Sequence, residues 1–114
     1  MLTIRNAQMA AFRKAQRAAF VRDLAARARR EHPLATAELA DAALARRLDL
    51  ALGRALALGF VVVADQVRYA LLALSAGDAA IEGAPARAVL ADDAAPGRVR
   101  LDRLVALLAG KGAA

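Results

Sequence analysis

Four places in the 114-residue sequence hold residue types that could act on a substrate: His32, Ser75, the pair Asp92 and Asp93, and the segment Gly110, Lys111, Gly112. Each lacks a companion. His32 is the single histidine, Pro33 follows it and the chain has no cysteine, so no tight zinc constellation can form around it. Ser75 is the single serine and ends an apolar stretch; pairing it with His32 would still require an orienting group and an oxyanion site that the sequence does not suggest. Asp92 and Asp93 are neighbours in a turn and do not face each other as an acid and a base would, so they read as helix-end charges. The glycine and lysine segment looks like the end of a phosphate loop, but neither the first glycine nor a serine or threonine after the lysine is present. The chain is therefore expected not to be an enzyme, with no catalytic residue, no metal site and no cofactor.

The elements that would have to position any functional group are helical. Alanine and leucine, the strongest helix formers, dominate, whereas β-branched and aromatic residues are scarce. The length suits one domain, and the composition predicts an all-α, single-domain bundle of four to five helices over residues 1–109. Residues 110–114 are expected to be a disordered tail. An alanine-rich core is thin, which places the expected stability at the modest end of about 5 to 15 kcal/mol.

Residues 3–31 form the longest helix-compatible run and hold the whole charge imbalance. They contain eight basic residues against two acidic ones, which equals the net charge of +6 for the entire chain, and the remainder balances nine against nine. Any electrostatic dealing with a partner therefore passes most directly through this helix. Its start is expected near Thr3 and its end before Pro33, because proline disfavours helical geometry in the preceding residue. Met9, Phe12, Ala19, Phe20 and Leu24, widened by Val21 and Ala28, share one side and are expected to be buried. The opposite side presents Ala11, Ala18 and Ala25 at heptad spacing, bordered by Lys14, Arg22 and Arg29. That side is either a solvated basic face or a flat alanine seam on which another chain could dock.

Beyond Pro33, a short helix opened by proline is followed by a long one over residues 41–58, with Leu44, Leu48, Ala51, Leu52 and Ala55 inward and Gly59 as terminator. Gly53 marks either close approach of another helix or plain tolerance. Phe60 to Val63 read as a buried connector. The third long helix, residues 64–76, is apolar around most of its circumference and is expected to be central, with Gly77 ending it. Residues 78–82 read as a loop, Pro85 as the opening of a short helix, and residues 92–96 as a turn. Leu101, Leu104, Val105 and Leu108 then stripe a helix over residues 97–109.

The most apolar run, residues 55–64, is about half the length that spans a bilayer and is flanked by Arg54 and Asp65, so no membrane span is expected. Residues 1–6 lack the apolar centre of a signal peptide, and the absence of cysteine suits a reducing cytosol; a cytoplasmic location is expected. The sequence pI of about 11.2 meets the first requirement of nucleic-acid binding. Interleaved aromatics and a helix-turn-helix pattern are missing.

Short matches in a fixed order point further. Leu2, Thr3, Ile4 and Arg5, then Gln8 and Met9, Phe20, His32 and Pro33, Gly59, the run Asp65 to Tyr69, and Leu101 to Leu104 together resemble a family of small bacterial helical proteins encoded beside type VI secretion spike, tip and toxin genes. The sequence departs from that pattern after Gly77, where relatives carry an aromatic and acidic segment. The resemblance implies a non-enzymatic interaction module, an adaptor, chaperone or accessory partner of a secreted toxin or spike protein; the alternative is a small basic nucleic-acid-binding protein. The candidate partner-binding residues are Ala11, Lys14, Ala18, Arg22, Ala25 and Arg29 on the first helix, with Arg68 and Tyr69 from the matching motif. Arg68 and Asp102 could equally form an internal ion pair.

Overall fold

In the structure, a computed structural model, the backbone of residues 2–113 and the side chains of residues 7–110 are described. The fold is all-α. Seven helices form among the described residues, rather than four or five: α1 (Leu2–Glu31), α2 (Pro33–Thr36), α3 (Asp41–Ala57), α4 (Val63–Ala76), α5 (Asp78–Glu82), α6 (Ala84–Leu90) and α7 (Gly97–Ala113). The chain divides into two compact units, residues 1–45 and 46–114, and each is described by itself.

In the first unit, α1 runs uninterrupted because no proline or glycine lies within it. It stops where Pro33 forces His32 out of helical geometry, at φ −132° and ψ 62°. The expected cap at Thr3 falls among side chains outside the described residues. Pro33 opens α2, which packs against α1. The hydroxyl of buried Thr36 donates to the His32 carbonyl at 2.9 Å. Arg29 joins the end of α1 to the segment beyond α2. Its guanidinium donates to the carbonyls of Thr36 at 3.0 Å and Leu39 at 2.8 Å, and to the Asp41 carboxylate at 2.7 Å.

The expected burial along α1 holds only from Val21 onward. Val21, Leu24 and Ala28 are buried, but Met9, Phe12 and Phe20 are 46, 57 and 38 % exposed. Periodicity reports which side chains share a side of a helix and not whether anything covers them. A helix of this length extends about 45 Å, well beyond the reach of a four-residue α2.

The second unit holds most of the core. Leu48, Ala51, Leu52 and Ala55 of α3 are buried as their spacing predicts. The end of α3 is a Schellman motif: Phe60 N–H donates to Ala55 O, Gly59 N–H donates to Leu56 O, and Gly59 takes φ +91°. The connector expected to be buried is not. Phe60 is enclosed, but Val61, Val62 and Val63 are 76, 55 and 57 % exposed: the link between α3 and α4 places one ring against the core, and Val63 already belongs to the exposed first turn of α4. Gly53 faces open space and marks no helix crossing.

Residues 78–82 form α5 rather than a loop. Gly77, at φ +90°, re-aims the backbone, and Ile81 brings this short helix a buried anchor. Within this unit α7 packs on α4 and α6, α4 also packs on α5, and α5 packs on α6; these pairings do not single out α4 as central. Leu101 and Leu104 are fully buried while Val105 is 37 % exposed. The helix α7 continues through residues 110–113, where a tail was read; Ala114 lies outside the described residues.

Arg100 is the unexpected member of this core, at 4 % exposure. Its Nη1 donates to the carbonyls of Leu58 and Leu90, both at 2.8 Å, and its guanidinium carbon lies 4.3 Å from the centroid of the Phe60 ring. Leu58 directly follows α3 and Leu90 is the last residue of α6, positions where backbone acceptors lack intrahelical donors and the helix dipole favours a cation. One buried charge thus satisfies two helix ends. Gly97 fits closely into the same packing: a Cβ there would stand 2.7 Å from Asp65 Oδ2, which the carboxylate can relieve by turning, and 3.0 Å from Cδ1 of the enclosed Phe60 ring.

Candidate functional site

The alanine side of α1 forms an open groove of about 530 Å³ within the first unit, lined by Ala18, Arg22, Ala25, Ala26, Arg29, Asp41 and Ala45. Its flatness follows from the methyl side chains, which let another backbone approach closely. Four candidate residues, Ala18, Arg22, Ala25 and Arg29, meet in this groove. Ala11 and Lys14 are exposed on α1 but do not line it.

The two arginines of the groove differ in kind. Arg29 is already engaged by two carbonyls and by Asp41, so it shapes the groove wall rather than waiting for a partner. Arg22 is exposed and makes no hydrogen bond or ion pair among the described residues. It is the cation that a docked acidic group would meet first.

Arg68 and Tyr69 lie in the second unit and do separate jobs. Arg68 Nη2 is 2.7 Å from Asp102 Oδ1, an ion pair between α4 and α7 with side chains 37 and 60 % exposed. At that exposure it contributes about 0 to 1 kcal/mol. Tyr69 is 2 % exposed, packs against Phe60 at 5.9 Å between ring centroids, and lines an open groove of about 780 Å³ with Arg54, Leu58, Ile81, Glu82, Arg87 and others. Burial raises its pKa above the usual 10.0; Arg54 opposes that shift, while Asp78 and Glu82 reinforce it. Arg54 in turn pairs with Glu82 at 3.1 Å and lies 3.5 Å from Asp78.

Two features escaped the reading of the sequence. Arg100 carries no signal, since Arg98 and Arg100 both open a helix after a proline turn and only tertiary packing selects one for burial. The exposed side of α1 did carry one: a helix much longer than the elements after it cannot be covered along its whole length. Among the described residues no three of histidine, aspartate and glutamate gather as a metal site would require, and no helix is long and apolar enough to cross a membrane.

No protein-family model matches this chain, and no curated protein or solved structure matches it either.

Proposed function

We propose that this chain is a non-enzymatic protein-interaction module, an adaptor, chaperone or accessory partner of a toxin or spike component of a type VI secretion system, acting in the cytoplasm. The observation that supports it is the alanine-lined groove of α1, where Ala18 and Ala25 leave room for a second backbone beside Arg22, which has no ion pair among the described residues. The class of partner is what the resemblance of the short motifs to helical proteins encoded beside secretion genes implies.

The test is affinity for the candidate toxin or spike protein, measured for Ala18→Glu, Ala18→Gln and Arg22→Gln at two salt concentrations. Docking in the groove predicts a loss of several kcal/mol for Ala18→Glu, which buries an unpaired charge, against about 0 to 1 kcal/mol for Arg22→Gln. A nucleic-acid binder would reverse that ranking, and each lost phosphate contact would lower the salt slope by roughly one. Near-unchanged affinity in both Ala18 variants, with a large salt-dependent loss in Arg22→Gln, would rule the groove out.

A further inference from the structure

We infer that the face of α1 carrying Met9, Phe12 and Phe20 is a second docking surface, and that its occupant is an amphipathic helix of a partner protein with carboxylates bordering its apolar stripe. This rests on the reading of the chain as an interaction module. It concerns a different side of α1 from the alanine groove.

Three large apolar side chains stand 46, 57 and 38 % exposed on one side of a single helix. Single exposed apolar residues are ordinary, whereas a helical stripe of them is the form in which helices recognise one another. From Met9 to Phe20 is about three turns, roughly 16 Å, one turn longer than the usual i to i+7 anchor set, and exposed Gln16 lies between the two rings. Their chemistry also suits a contact: methionine adapts to an irregular surface, and phenylalanine presents large area at little entropic cost.

Charge selects the occupant. Arg13 adjoins Phe12, is exposed and has no ion pair among the described residues, and residues 3–31 hold eight basic side chains against two acidic ones. A second copy would set this excess against itself, which like-charge repulsion opposes. A single nucleic-acid strand fits poorly. Phe12 and Phe20 are about 12 Å apart along the helix axis, too far to hold successive bases, and Met9 and Gln16, the neighbours of Phe12 one turn away on this face, offer no aromatic stacking plane. An acidic-bordered helix satisfies both the apolar stripe and the charge.

Fluorescence anisotropy of the full chain with two synthetic helical peptides tests this. Both peptides carry one leucine stripe, flanked by glutamates in the first and by lysines in the second, and a single-stranded oligonucleotide serves as a third probe. The glutamate peptide should bind, the lysine peptide should not, and Phe12→Ser should weaken binding roughly tenfold or more without changing the circular dichroism or thermal unfolding. Ala18→Glu should leave this binding intact, which separates the result from failure of the groove reading. The inference is overturned by equal binding of both peptides, by no binding of the glutamate peptide, by unchanged affinity in Phe12→Ser, by complete displacement of the peptide by the oligonucleotide, or by a dimer in sedimentation that Phe12→Ser dissolves.

Discussion

The units formed by residues 1–45 and 46–114 draw on the same alanine- and leucine-rich vocabulary and use it in opposite ways. In the first, α1 contributes three buried side chains among its described residues, Val21, Leu24 and Ala28, and leaves two aromatic rings in solvent. In the second, Phe60, Tyr69, Leu101 and Leu104 are all enclosed, and even a cation, Arg100, lies inside. Short helices around a turn can cover one another, whereas one long helix exposes whatever its neighbours fail to reach. A surface left open in this way is available for docking; a core closed in this way has little freedom to do anything except hold its shape.

The largest expected effect lies where that closure depends on charge. Arg100→Met should destabilise the chain by about 2 to 5 kcal/mol in urea denaturation, because the Leu58 and Leu90 carbonyls lose their shared donor in a buried setting. A cost under about 1 kcal/mol would show that water takes over both carbonyls, and the contrast between the units would shrink.

A second effect depends on pH. Because burial raises the Tyr69 pKa, the unfolded chain ionises first as pH rises. The associated stability is fully present below the ordinary value of 10.0 and is lost progressively as pH climbs through the folded-state pKa. Absorbance of the phenolate reads this residue alone, since the chain has one tyrosine and no tryptophan. An absorbance midpoint at or below 10.0 in the folded protein would contradict the enclosed position of Tyr69, and Tyr69→Phe should remove its share of the alkaline loss in stability.

The smallest effect is a gain. Gly53→Ala should stabilise the second unit by about 0.5 to 1 kcal/mol, because Gly53 lies inside α3 with nothing within 4 Å of an added Cβ. A loss of thermal stability would place a neighbour where the structure has open space.

Much of the fold was legible because its signals are local. Pro33 ends α1, Gly59 ends α3 through its left-handed backbone, Gly77 closes α4, and Leu44, Leu48, Ala51, Leu52 and Ala55 repeat at helical spacing, so no distant contact is needed to read them. The misreadings share a cause. Residues 78–82 lack a periodic stripe long enough to register as a helix, yet Ile81 has a buried place waiting and α5 forms. Val61, Val62 and Val63 have a buried composition, but the first two sit in a connector and the third in the exposed first turn of α4.

The candidate site divides along the same line. The alanine spacing of Ala18 and Ala25, the arginines beside it and the +6 balance of α1 are properties of the sequence, set by the helical repeat and by counting charges. Tertiary structure decided that Arg29 is engaged by Thr36, Leu39 and Asp41 while Arg22 has no partner among the described residues, that Arg100 rather than Arg98 is buried, and that Met9, Phe12 and Phe20 face solvent. A helix's own repeat places side chains around its axis; which of them meet a carbonyl, a ring or water depends on where the rest of the chain returns, and that information is not local.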